Sequence, residues 1–214
     1  MPRSPARPRP TLILFVRHGH TPTTGKLLPG RAPGLHLSDD GRAQADAVAE
    51  RIARLKSVDA IYASPLERTR ETAAPIAAAR GLKVKADRGL LEADIGEWTG
   101  RELKAVRKLP EWKTVQHHSS GFRFPGGESF LDIQHRMVAT VDRLRAAHPG
   151  GTVVAVSHAD PIKAALAHAL GTHLDQFQRF AVSPCSVSAV VHGDGAPMVL
   201  TVNSVGDLRS LSQS

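Results

Sequence analysis

The sequence predicts a single-domain α/β fold: a three-layer sandwich with a mostly parallel sheet, helices on both faces and an antiparallel hairpin at one edge. Strand and helix patterns alternate along the chain after residue 10, the order of a parallel sheet covered on both sides. Three short apolar runs, Leu12–Val16, Ala60–Ala63 and Thr152–Val156, read as core strands, and each gives way at its C-terminal end to polar residues. The length of 214 residues suits one domain with a sizeable core.

The elements follow in order. Asp39–Leu55 reads as a helix with Ser38 as its N-cap. A second helix is expected over Pro65–Arg80, kinked or shortened by Pro75. Leu82–Ala86 is a short strand. Ser129–Ala147 is the clearest helix, since Phe130, Ile133, Met137, Val141 and Leu144 fall on one face and Gly150-Gly151 follows its end. Asp160–Leu170 is another helix, with Pro161 in its first turn. Ser186–His192 and Met198–Asn203 alternate like strands around Gly193-Asp194-Gly195 and should pair as a hairpin. Residues 1–10 read as a disordered basic tail, 11–203 as the domain and 204–214 as a flexible C-terminal tail.

Composition excludes several classes of function. Hydrophobic content of 41% with 22% charged residues is that of a globular protein. No apolar run approaches the ~18 residues that span a bilayer. The Pro- and Arg-rich start lacks the apolar stretch of a secretory signal. The lone Cys185 rules out an intramolecular disulfide and suits a reducing cytoplasm, the expected location; a buried free thiol is the plain reading of it. The formal charge of +8 has no accompanying stripe of interleaved aromatics, which make up only 4% of residues, so nucleic acid is not expected as a partner. A positive field that draws in small anionic substrates accounts for the charge better. A homodimer is left open.

The strand ends carry the chemistry. The first run stops at Arg17-His18-Gly19, the second leads into Ser64-Pro65-Leu66-Glu67-Arg68, and the third ends at Ser157-His158. Open α/β sheets bind ligands at the C-terminal ends of their strands. If these strands are parallel neighbours, Arg17, His18, Arg68 and His158 face one crevice, an anion site with a nucleophile inside it.

These segments belong to an ordered set. Arg17-His18-Gly19-His20-Thr21, Leu37-Ser38 with Gly41 and Gln44-Ala45, Ser64-Pro65 with Arg68-Thr69 and Thr72-Ala73, Leu91-Glu92 with Gly96, Trp98 and Gly100, Phe124-Pro125-Gly126-Gly127-Glu128-Ser129 and Val156-Ser157-His158 follow one another along the chain. In this order they resemble the histidine phosphatase superfamily, in its phosphoglycerate mutase-like branch, close to a subgroup of small phosphatases and phosphomutases. The likeness covers roughly residues 11 to 203.

The resemblance implies a phosphoglycerate mutase-like fold and a metal-independent phosphomonoester hydrolase that works through a phosphohistidine on a small phosphorylated metabolite, with no cofactor. It makes His18 the nucleophile, with one ring nitrogen pinned by a backbone carbonyl near Gly19. Arg17 and Arg68 clamp phosphate oxygens, and a protonated His158 serves as a third anchor. Glu92 acts as general acid and base, its pKa raised by Trp98 and water exclusion and lowered by the arginines. Asp160 is a rival proton donor, although an N-cap role before Pro161 suffices for it. Asp94 and Glu97 are expected to order the loop.

Two positions depart from the family pattern. Thr24 stands where an asparagine is common, so a hydroxyl would reach the phosphate instead of an amide, and Ala159 replaces the usual glycine after the second histidine. The segment Arg101–Arg123 is expected to form a lid, with Arg31, Trp112, His117 and Arg123 as candidate substrate-side groups. Because the stretch between Gly100 and Gly126 is short, water is expected to reach the phosphoenzyme, which favours hydrolysis over a phosphoglycerate mutase-type transfer. A non-catalytic phospho-ligand module is the remaining alternative. Eleven histidines invite a metal reading, yet His117-His118 and His18-x-His20 lack the spacing and acidic partners of such a centre.

Overall fold

In a computed structural model that describes residues 9–208, six strands form one sheet in the order β3-β2-β4-β1-β5-β6. The strands are β1 (Thr11–Arg17), β2 (Ala60–Ala63), β3 (Val84–Ala86), β4 (Thr152–Ser157), β5 (Val187–His192) and β6 (Met198–Ser204). The first four run parallel, while β5 pairs antiparallel with β1 and β6 antiparallel with β5. The expected edge hairpin is therefore present.

The apolar run of β1 has no polar face because the strand is covered on both sides. Leu12, Leu14 and Val16 point into a core shared with α1 (Asp39–Ala53) and α2 (Glu67–Arg80), where Ala45, Val48, Ile52, Ala73 and Ile76 meet them. Ile13 and Phe15 point the other way, into a core with α5 (Phe130–Ala147) and α6 (Ala159–Ala169), against Met137, Val141, Leu144, Ile162 and Leu166. Full burial of one such aliphatic side chain stabilises the fold by about 1.5–3 kcal/mol.

The helix ends carry their expected chemistry. Ser38 caps α1 by accepting from the Gly41 amide, and Ser129 forms a reciprocal capping box with Asp132 at the start of α5. Helix α2 does not stop at Pro75 but continues to Arg80 and ends on the left-handed Gly81. At α6 the residue in the N-cap position is His158, with no side-chain cap, so Asp160 is not the N-cap; it lies in the first turn, 3.8 Å from Lys163.

A third apolar cluster lies beside the sandwich. Ala93, Ile95, Trp98, Val106, Val115, Phe122, Phe124, Phe130 and Phe177 come together there. It gathers α3 (Leu103–Val106) and α4 (Glu111–His117), so the segment expected as a lid is fastened by its own core.

The C-terminal boundary also shifts. Residues 204–208 do not behave as a tail: Leu208 is buried in the α1-side core, and Arg51 donates to the carbonyls of Ser204 and Gly206. Residues 1–8 and 209–214, the bulk of both expected tails, lie outside the described residues.

Candidate active site

Sheet register assembles the crevice. Arg17 of β1 pairs with Ser157 of β4, so His18 and His158 leave neighbouring strands side by side, and the His18 amide donates to the Ser157 carbonyl. Their rings meet edge to face with centroids 5.2 Å apart. On the far side of β4, Ala63 of β2 pairs with Val156, and the chain then turns through Ser64-Pro65 into α2, which carries Arg68 in its first turn.

His18 is held by its loop. Its Nδ1 lies 2.8 Å from the Gly19 carbonyl, which can only accept, so Nδ1 carries the proton and Nε2 keeps its lone pair. Burial, then Arg68 and Arg17, lower its pKa to about 3, leaving a neutral imidazole across the physiological range. The loop lies directly on the start of α1. A Cβ at Gly19 would meet the Gly41 carbonyl oxygen at 2.5 Å, and one at Gly41 would meet that of His20 at 2.0 Å, so neither position admits a side chain. The Gly19 amide is tied to Thr72 of α2 at 3.0 Å.

The two arginines are withdrawn from water but incompletely bonded. Arg68 is fully buried and donates one bond, to the Gly30 carbonyl at 2.9 Å. Arg17 donates to the Val182 carbonyl at 2.7 Å. Among the described residues, Nε and Nη1 of Arg68 and Nε of Arg17 have no hydrogen-bond partner. Buried N–H groups left open in this way point to a ligand.

Glu92 closes the crevice. One carboxylate oxygen accepts from the Ala93 amide and the other lies 3.7 Å from His158 Nδ1. Desolvation, followed by the nearby charge of Asp160, raises its pKa to about 7 against the opposing pull of Arg68 and Arg17. Trp98 packs edge-on to Phe124 at 5.4 Å in the third core. His158 departs from expectation. Burial, then Arg68 and His18, push its pKa well below the ordinary value, which favours the neutral ring over the protonated one.

A network that the sequence did not reveal holds Glu92 in place. Arg136 of α5 donates to the carbonyls of Gly89 and Leu91 at 2.7 and 2.9 Å and pairs with Glu128 at 3.0 Å. Glu128 accepts from the Asp94 amide and meets Arg31 at 2.9 Å. Arg31 in turn donates to the Glu92 carbonyl at 2.8 Å. Glu128 stands in the Gly126-Gly127-Glu128 motif, the one sequence signal that could have found it; Arg136 lies on a helix face with no such mark. Asp94 and Gly127 meet closely here, and a Cβ at Gly127 would come within 2.3 Å of the Asp94 carbonyl oxygen.

The candidate substrate-side residues separate from the crevice groups. Arg31 belongs to the Glu92 support just described. Arg123 pairs with Asp132 at 2.8 Å and donates to the Gly127 carbonyl, which fastens the start of α5. Trp112 packs against the third core, and His117 is exposed at the end of α4. The Thr24 hydroxyl accepts from the Thr21 amide and lies 2.9 Å from the Thr21 hydroxyl, which closes the loop after His18. Ala159 is the first residue of α6, where an amide N–H has no intrahelical acceptor.

Donor atoms of His18, Glu92 and His158 lie within 4.8 Å of one another, close enough to hold a metal ion. The open guanidiniums of Arg17 and Arg68 beside them make the local field positive, so the donor set fits an anion better than a cation.

Comparison with known proteins agrees with this geometry. The profile of the histidine phosphatase superfamily (branch 1) matches residues 13–205. The chain belongs to this superfamily. Among curated relatives, a bifunctional protein of Mycobacterium tuberculosis is 36% identical over 207 residues, covering 95% of this chain and 56% of its own length. The chain thus spans just over half of that relative. Phosphoserine phosphatase 1 of Hydrogenobacter thermophilus is 33% identical over 199 residues, 89% of this chain and 91% of its own. A mycobacterial glucosyl-3-phosphoglycerate phosphatase superposes with a TM-score of 0.82 at 25% identity, covering 92% of this chain and all of the other. No helix among the described residues is long and apolar enough to cross a membrane.

Proposed function

We propose that this superfamily member is a metal-independent phosphomonoester hydrolase acting through a phosphohistidine on a small phosphorylated metabolite. The observation that carries the reading is the convergence of the buried Arg68 and the part-buried Arg17, both with open N–H groups, on a neutral imidazole. The superfamily relatives named for phosphoserine and glucosyl-3-phosphoglycerate phosphatase activity support small phosphomonoesters as the substrate class.

In the first step the lone pair on His18 Nε2 attacks phosphorus and the bond to the ester oxygen breaks. Glu92, half protonated near neutral pH, gives its proton to the departing oxygen. Arg17 and Arg68 hold the oxygens of the transferring group with charge-assisted bonds, joined by a His158 N–H and the Ala159 backbone amide. In the second step water attacks the phosphohistidine, its proton passes to the Glu92 carboxylate, and the N–P bond breaks to release phosphate and free His18. The second step restores the free imidazole of His18 and the proton of Glu92 that the first step consumes, and no oxidation state changes, so the cycle calls for no redox partner or cofactor.

The test is phosphate release from p-nitrophenyl phosphate in excess EDTA, with acid-labile, alkali-stable phosphoenzyme trapped from the wild type. Turnover that persists in EDTA and disappears in His18→Ala is expected. Turnover that survives in His18→Ala overturns the mechanism, and a wild type that binds orthophosphate without turnover overturns the enzymatic reading.

A further inference from the structure

His158 has a partner outside the set of groups that face the substrate. Ser64 follows β2, and its amide donates to the Val156 carbonyl at 3.0 Å, which sets the residue beside the end of β4. The Ser64 hydroxyl lies 2.9 Å from His158 Nε2, and both residues are fully buried. A hydroxyl has one proton to give and two lone pairs. The Leu66 amide approaches the same oxygen from 3.5 Å and can only donate, so a lone pair faces Leu66 and the hydroxyl proton is free for Nε2.

The other nitrogen of the ring has the opposite situation. Nδ1 has no hydrogen-bond partner among the described residues, and it faces Glu92 at 3.7 Å. Arg68, His18, Arg136 and Arg17 surround the ring with positive or potentially positive groups, and Glu92 is the acidic neighbour. A second proton on the imidazole would face that field without water to screen it. A neutral ring must therefore choose which nitrogen carries its single hydrogen. With the hydrogen on Nε2, a lone pair on Nδ1 would meet phosphate oxygens and repel them.

We propose that Ser64 is a positioning residue: its hydroxyl donates to His158 Nε2 and so fixes a neutral His158 with its hydrogen on Nδ1, ready to donate to a phosphoryl oxygen. The catalytic consequence rests on the proposed phosphatase activity, whereas the tautomer can be read without turnover.

The experiment is long-range proton–nitrogen NMR on the full chain carrying 15N-histidine, free and with orthophosphate, the His158 signals being assigned by their absence in His158→Asn. A neutral ring protonated at Nδ1 is expected around neutral pH in both states. In Ser64→Ala a population protonated at Nε2 should appear, with kcat on p-nitrophenyl phosphate down about tenfold, the effect of one hydrogen bond. Ser64→Thr, which keeps the hydroxyl, should retain the wild-type tautomer. A wild-type ring protonated at Nε2, or at both nitrogens, overturns the proposal, as does an unchanged tautomer in Ser64→Ala. Should Ser64→Ala fail to fold, the wild-type spectrum still decides. Absence of turnover in a wild type that shows the expected tautomer would instead count against the phosphatase reading.

Discussion

Arg68 and Arg136 are both cations drawn out of water, and they stand at opposite ends of one design. Arg136, with its side chain 19% exposed, is bonded to the Gly89 and Leu91 carbonyls and paired with Glu128. Arg68 is fully buried and has one carbonyl partner, with two N–H positions open. A desolvated charge whose donors are all engaged can support a fold, whereas one left open destabilises it and gains only when a ligand arrives. The Glu92 loop is therefore held rigid by satisfied charges, and the crevice beneath it is kept ready for an anion by unsatisfied ones.

The same substitution at both positions breaks or sharpens this contrast. Arg68→Met keeps the volume and removes the donors; kcat on an aryl phosphate should fall about 10²–10³-fold, with thermal stability unchanged or higher. Arg136→Met should lower stability by about 2–3 kcal/mol, because it leaves Glu128 and two carbonyls without their partner. For a chain of this size that is about 4–12 °C in Tm, measured by calorimetry. Equal loss of stability in the two variants would erase the distinction.

A third test uses pH. His18 is active when deprotonated, so its depressed pKa places the acid limb of kcat/KM at about 3. Glu92 is active as an acid, and the alkaline limb should fall at about 7. Asp160 contributes to raising Glu92, so Asp160→Asn should move the alkaline limb to lower pH and leave the acid limb in place. A limb that stays put would show that Glu92 is not the group being read. The smallest effect concerns the support alone: Ser129→Ala, which removes the capping box of α5, should cost about 1 kcal/mol, seen as a small drop in Tm with kcat intact.

The same contrast explains what was legible in the sequence. Strand ends are local signals, so the apolar run of β1 and the residues after it located His18, and β4 located His158 in the same way. Arg68 could be placed because a short turn joins β2 to α2. Helices with regular apolar spacing were found within a residue or two of their ends, and α2 runs past Pro75 to the expected Arg80 because Ala73, Ile76 and Ala77 hold it against the core. The reach of Arg31 across the loop to Glu92 and Glu128 leaves no periodic mark in the sequence. The state of His158 depended on the sum of burial and neighbouring cations, a quantity that exists only after folding. Leu208 was missed because a single apolar residue in a polar stretch carries no pattern.

The placement of β1 also constrains how this chain is made. It is translated well before β4 and β5, between which it lies in the sheet. Its row of Leu, Ile, Phe and Val must wait without its sheet neighbours while the intervening helices emerge, a long-range pairing of the kind that folds slowly and exposes sticky edges. His18 and His158 meet only when that gap closes. Nascent chains that stop short of residue 158 carry Arg17, His18, Arg68 and Glu92 but lack the second imidazole of the crevice.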